Sequence, residues 1–264
     1  MIQAVFLDID GTLVSVRTHK PAPGTAEALL AAKEKGIKLF VATGRHTAVR
    51  EEGYILDLLP DCFDGFVAMT GQYCYTRGGE TVLKAPLDSE DVRTIMEVAD
   101  RYDIPYTFCY ADKVYISCVN DLVRRHNASI GLPVPAVHRL DPQRDVYAIT
   151  MYIDPALEEA VLRPRLRHSA TVSWMGGISD LYAVNGGKRA GVEAILAHFG
   201  IPKENAMGIG DSDNDLSMLE SVGIPVAMGN STPRVKAVAE YITATCEEDG
   251  IYHAFLHYGI IGES

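Results

Sequence analysis

Residues 5–13 read VFLDIDGTL. The run is apolar enough for the middle of a sheet, yet it carries two aspartates, Asp8 and Asp10, at its end. Buried charge costs free energy unless something pairs with it or uses it, so the stretch asks what these carboxylates meet. A short apolar run without alternation is the pattern of a strand covered on both faces, as in a parallel sheet. Similar runs follow at IKLFVAT (37–43), GFVAMT (65–70), NAMGIGD (205–211), IPVAMG (224–229) and YITAT (241–245). Segments with helical spacing lie between several of them. In TAEALLAAKEKG (25–36) Ala26, Leu29 and Leu30 share a face and Gly36 offers a C-cap. In KRAGVEAILAHFG (188–200) Val192, Ile195, Leu196 and Phe199 share a face, and a glycine again ends the run. Strand and helix in repetition predict an α/β fold with a doubly wound, mainly parallel, Rossmann-like sheet.

The middle of the chain reads differently. From about Leu87 to Leu181, YTFCYA, KVYISCV, VYAITMYI and ATVSWM look like hairpin and edge strands around the helices DSEDVRTIMEVADRY and PALEEAVLRPRL. This predicts an α+β domain over 87–181 inserted into a core made of 1–86 and 182–264.

The 264 residues are 47% apolar and 22% charged, ordinary values for a globular chain of one large or two modest domains. A formal net charge of −11 argues against non-specific nucleic-acid binding, which needs clustered Lys and Arg, and favours small-molecule partners. No stretch approaches the ~20 apolar residues of a spanning helix, and Asp8 interrupts any signal-peptide core, so neither a membrane nor a secreted setting is indicated and a cytoplasmic one is expected. The five cysteines form no C-x-x-C pair, which points to small buried thiols rather than disulfides or a zinc knuckle.

Ligands of open α/β sheets bind beyond the carboxyl ends of the strands. Four chemical groups fall there: Asp8 with Asp10, Thr43 with Gly44, the acidic loop GDSDND (210–215), and Lys188 at a helix start. Singly, each has a plain explanation, since Asp and Thr-Gly are common turn residues, DSDND could cap the next helix, and a lone lysine is usually a solvated charge. Jointly, nothing in that account explains why three sheet ends and one helix start supply complementary groups. If Asp8, Asp10 and Asp211 meet, each pair ~4 Å apart repels by roughly 4 kcal/mol at an effective dielectric of ~20, and the cluster needs a cation. Oxygen-only ligands with room for water and phosphate favour magnesium over calcium. An EF-hand is excluded, because Leu216 stands where its glycine belongs and Val222 where its glutamate belongs.

The motifs D-x-D-G-T (8–12), T-G-R (43–45), Lys188 and G-D-S-x-N-D (210–215) resemble, in that order, the four signatures of the haloacid dehalogenase (HAD) superfamily of phosphotransferases. The insertion between the second and third motifs and the tail EEDGIY (247–252) are similar to the Cof-type branch of sugar-phosphate phosphatases. The resemblance implies that Asp8 is the nucleophile and forms an aspartyl-phosphate, and that Asp10 is the general acid and base. It implies magnesium held by the Asp8 side chain, the Asp10 backbone carbonyl and Asp211, with Asp215 in support. Phosphate would be bound by the Thr43 hydroxyl, the Gly44 and Ile9 amides, Asn214 and Lys188. Dehalogenases of the superfamily lack the second acid and ion-pumping ATPases carry threonine there, so the resemblance and Asp10 together point to a phosphatase or a phosphomutase, and hydrolysis of a small phosphate ester is the preferred reading. A phosphomutase and a non-catalytic phosphate-binding protein are the alternatives. The insertion would act as a lid that reads the leaving group. Its candidate readers are Tyr110, Arg124, Arg125, Trp174 and Tyr182. Arg45 could reach substrate or orient its loop, and His46 reads as structural. His253 and His257 share a helical face, but Ala254 stands where a zinc-protease helix has glutamate, so they read as surface residues.

Overall fold

The computed structural model describes residues 1–46, 55–129, 132–173 and 177–262. The chain divides into two compact units, Met1–Lys84 with Lys188–Ser264, and Ala85–Gly187. The first begins with β1 (Ala4–Leu7), α1 (Thr25–Glu34), β2 (Lys38–Ala42), β3 (Gly65–Ala68), β4 (Tyr73–Thr76) and β5 (Thr81–Lys84). The second unit holds α2 (Ser89–Tyr102), β6 (Tyr106–Cys109), β7 (Val114–Ile116), α3 (Asp121–Ser129), β8 (Ala148–Met151), α4 (Pro155–Leu157), β9 (Ser169–Ser173) and β10 (Ser179–Ala183). The chain then completes the first unit with α5 (Lys188–Phe199), β11 (Ala206–Gly210), α6 (Leu216–Leu219), β12 (Ile224–Ala227), α7 (Pro233–Val238), β13 (Tyr241–Ile242) and α8 (Gly250–His257). Among the described residues no helix is long and apolar enough to cross a membrane.

The first unit's sheet has the order β13-β12-β11-β1-β2-β3-β4-β5. It is parallel from β13 to β3 and antiparallel at the β3–β4 and β4–β5 pairs. Its central strands β11, β1, β2 and β3 are covered on both faces, which is why they read as continuous apolar runs. Alternate residues of β1 serve opposite faces: Val5 and Leu7 pack with Leu29 of α1 and Phe255 of α8, whereas Phe6 packs with Phe40, Val192 and Ile195. The Phe6 and Phe40 rings stack at 4.9 Å. The register places Leu7 level with both Ile209 and Val41. The residues just past these strand ends therefore emerge along one edge, and they are the ones that carry the motifs.

The second unit is an antiparallel sheet of order β7-β6-β8-β10-β9 packed against α2 and the 155–166 segment through Ile95, Val98, Phe108, Ile149, Leu162 and Leu181. Asp88 caps α2, accepting from the Glu90 and Asp91 amides. The expected helix over 155–166 is broken into α4, a π-helical turn at Glu158–Leu162 and a 3-10 turn at Arg163–Arg165. Pro164 cannot continue an α-helix, and the buried Glu158 carboxylate is drawn to Ser173, Ser179 and Arg163. The unit extends to Gly187, past the expected 181, because β10 runs through Ala183. The β4–β5 hairpin, β10 and α3 were not apparent in the sequence. β5 is a half-exposed edge strand and α3 is largely polar, so neither shows an apolar run.

Gly191 of α5 lies so close to the sheet that a Cβ there would be 2.5 Å from Val67 Cγ1 and 2.9 Å from Cys74 Sγ. Alanine gains roughly 0.5–1 kcal/mol of helix propensity over glycine, but overpacking costs typically 1–3 kcal/mol. Gly191→Ala is therefore expected to lower stability by about 1–2 kcal/mol, read from the urea midpoint. An unchanged or raised midpoint would show that α5 can move away from the sheet.

Candidate active site

Asp8 is the first residue past β1 and is 3% exposed. The chain then folds back on itself, with the Leu13 amide donating to the Asp8 carbonyl and the Val14 amide to the Ile9 carbonyl. Gly11 has φ +88°, and a Cβ there would fall 2.3 Å from Asp211 Oδ2. Only glycine allows both that backbone angle and that approach. Thr12 Oγ donates to Asp211 Oδ1 at 3.1 Å. The G-T of the first motif thus serves the acidic loop, 199 residues away.

Lys188 opens α5 and is fully buried. Its ammonium donates to Asp8 Oδ1 at 2.7 Å and to Asp215 Oδ1 at 2.5 Å. The other Asp215 oxygen accepts from the Asp211 and Ser212 amides at 3.0 and 3.1 Å. Asp215 therefore braces both the lysine and its own loop. Thr43 is buried, and its carbonyl and hydroxyl accept from the amides of Thr70 and Arg45. Arg45 grips Asp10 with two bonds of 2.7 Å.

Carboxylate oxygens of Asp8, Asp211 and Asp215 lie within 4.8 Å of one another. Three carboxylates share one ammonium, an excess of negative charge suited to a hard cation. Burial pushes the Asp8 carboxyl up to about 8, against the pull of Lys188 and with a push from Asp215. Burial and then Asp215 push Asp211 up to about 7. Burial alone would lower Lys188, but Asp215 and Asp8 outweigh it and hold the ammonium charged. The donor set is all oxygen and fits a hard divalent cation, magnesium among them; both Asp215 oxygens are already engaged, which leaves Asp8 and Asp211 as the carboxylates that could hold one.

Not every expected residue joins the cluster. Asn214 is exposed, and its amide oxygen accepts from Ser212 Oγ at 2.8 Å within its own loop. His46 is half-buried beside Arg45 in the chain. His257 stacks on Tyr241 at 3.9 Å, and His253 meets Tyr252 edge-on, so both belong to aromatic packing. Tyr110 is 1% exposed, with Arg144 over its ring and its hydroxyl accepting from the Asp141 amide. It is a core residue of the second unit rather than an open reader. Arg124 and Arg125 are exposed on α3, Tyr182 bonds to Asp180, and Trp174 lies outside the described residues. Of the cysteines, Cys62, Cys74 and Cys246 are buried, whereas Cys118 is exposed.

A brace behind the first motif has no signal in the sequence. Asn230 donates to the Gly11 carbonyl at 2.9 Å and accepts from the Cys246 amide at 2.8 Å. Ser15 bonds Glu247, and Asp249 accepts from the Gly24 amide at 2.7 Å. Two acids of the tail EEDGIY, Glu247 and Asp249, thus fasten the loops after β1.

A sequence model of the haloacid dehalogenase-like hydrolases matches residues 5–255. A phosphatase of the HAD superfamily from Bacteroides thetaiotaomicron is 30% identical, with a TM-score of 0.86 over 99% of this chain and 96% of that one. A solved subclass IIB sugar phosphatase is 35% identical, with a TM-score of 0.86 over 98% of this chain and all of its own. The chain also shares 28% identity, over 98% of its length, with a Streptococcus pyogenes protein whose name pairs a phosphatase with a peptidyl-prolyl cis-trans isomerase. It spans 54% of that relative. A hydrolase fold with an acid-rich sheet edge is thus joined to likeness over nearly the whole chain. The chain belongs to the haloacid dehalogenase-like hydrolase family.

Removing Lys188 leaves two buried carboxylates facing each other. Lys188→Met is expected to cost about 3–5 kcal/mol in urea unfolding, as for other buried pairs broken on one side. Asp8 and Asp211 hold protons more tightly folded than unfolded, where the carboxyl value is 3.8. Their contribution to stability is therefore full below that value and is lost as pH rises through about 7 and 8. In chelator the melting temperature is expected to fall between pH 5 and pH 8.5. Added magnesium should raise it more at the upper end, and an equal gain at both ends would contradict the assignment.

Proposed function

We propose that the chain is a magnesium-dependent phosphomonoesterase acting on small phosphorylated metabolites, sugar phosphates first among them, through an aspartyl-phosphate on Asp8. The observation that carries this reading is the buried Lys188, which holds Asp8 against the acidic loop at the edge where the parallel strands end. The likeness to a sugar phosphatase at 35% identity supports the substrate class.

An Asp8 oxygen attacks phosphorus while the bond to the leaving oxygen breaks, and the electron pair stays with that oxygen. Asp10 gives it a proton, so an alcohol departs. The Asp10 carboxylate then takes a proton from water, whose oxygen attacks the phosphorus of the acyl phosphate. Inorganic phosphate leaves and the Asp8 carboxylate is restored. Lys188 aims Asp8 and counters part of the rise in proton affinity that burial imposes on it, and its charge faces the phosphoryl oxygens. The Thr43 hydroxyl, the Ile9 and Gly44 amides and, once released from Ser212, Asn214 are assigned to the same oxygens. Asp8 and Asp211, with the Asp10 backbone carbonyl, would hold magnesium, which supplies positive charge to the transferring group. Asp215 supports the lysine and the loop.

A panel of phosphate monoesters tests the reading, with released phosphate measured with and without magnesium. Asp8→Asn is expected to abolish release with the fold intact, and Asp10→Asn to slow kcat by about 10²–10⁴, the range for general acid–base catalysis. Substantial turnover by Asp8→Asn would remove that residue from its role.

A further inference from the structure

We propose that Arg45 is a positioning residue for Asp10, a guanidinium fork that aims the acid's carboxyl group and opens at one oxygen when the leaving group arrives. The proposal rests on the reading of Asp10 as proton donor given above. Arg45 Nε donates to Asp10 Oδ2 and Nη2 to Oδ1, each at 2.7 Å. Such a two-point contact fixes the plane of a carboxylate as well as its direction, which a lysine cannot do.

The arginine is itself delivered from an unusually constrained base. Its amide donates to Thr43 Oγ, and its carbonyl accepts from the Met69 amide at 3.0 Å. The Thr43 carbonyl accepts from the next amide, Thr70, at 2.9 Å. Met69 and Thr70 are both in the left-handed region, with φ of 50° and 55°. Two consecutive non-glycine residues there are uncommon and strained, and such strain persists only where the surroundings impose it. Here it turns two successive amides onto the T-G-R turn.

The chemistry requires that the fork open. The fork fills the inward-facing lone pair of each Asp10 oxygen, the position in which a carboxylic acid normally carries its proton, so an Asp10 that holds a proton there for the leaving oxygen has given up one bond to Arg45. The pair is placed for that exchange, because the Arg45 and Asp10 side chains are 25% and 39% exposed, unlike the sealed Lys188 cluster. Arg45 thus acts on substrate through Asp10, and in kcat/KM, which reports the transfer to Asp8 and not the later attack by water, its loss should matter only where the leaving group needs a proton.

The test is a series of phosphate monoesters graded by leaving group, measured as kcat/KM for the full chain with magnesium. For Arg45→Gln and Arg45→Lys, kcat/KM on an alkyl sugar phosphate is expected to fall on the order of 10²-fold, the lower range of general acid catalysis. On p-nitrophenyl phosphate, whose leaving group needs no proton, the fall should stay below about 3-fold. Adding Arg45→Gln to Asp10→Asn should cost nothing further, because the two act as one unit. An equal loss across the series, or a further loss in the double variant, would overturn the proposal. Arg45→Lys keeps the charge and serves if the glutamine variant fails to fold. Absence of phosphate release from every ester by the unaltered protein would instead overturn the phosphatase reading beneath it.

Discussion

A single ammonium group between two carboxylates, Lys188 between Asp8 and Asp215, governs the arrangement of this protein's acidic edge. All three side chains are buried, and they come from the end of β1, the start of α5 and the loop after β11. A buried ion pair adds little net stability, because desolvation offsets the attraction, but breaking it is costly. Its effect is therefore on geometry: the loops converge in one arrangement, since any other leaves a charge unpaired.

The surrounding glycines show how tightly that arrangement is drawn. Gly11 admits Asp211, and at Gly210 a Cβ would sit 2.6 Å from Asp215 Cβ. Each removes a side chain where two loops touch, and Thr12 adds a hydroxyl at the same junction. The site remains overcharged: one lysine cannot neutralise three acids. Burial and the neighbouring Asp215 raise the proton affinity of Asp8 and Asp211.

The two aspartates of the first motif show how environment divides labour between identical side chains. Asp8 is sealed and held by a buried lysine, which supports the nucleophile role we propose for it. Asp10, two residues on, is partly open and held by an arginine that can exchange. The turn between them, closed by the Leu13 and Val14 amides, sends successive acids into different settings.

Much of this was legible in the sequence. Unalternated apolar runs signal strands covered on both faces, and Asp8, Thr43, Lys188, Asp211 and Asp215 stand out because chemistry-bearing residues at strand ends break that pattern. Edge strands such as β5, the polar helix α3 and the broken 155–166 helix were hidden, because half-exposed elements and buried polar networks carry no apolar period. The hold of Arg45 on Asp10, the exposed setting of Asn214, the burial of Tyr110 and the brace through Asn230 and Cys246 were also out of reach. Periodicity and spacing along a chain determine which elements form and where their ends fall. Which side chains then meet depends on register and on contacts between residues up to some two hundred positions apart, and only the folded structure decides those.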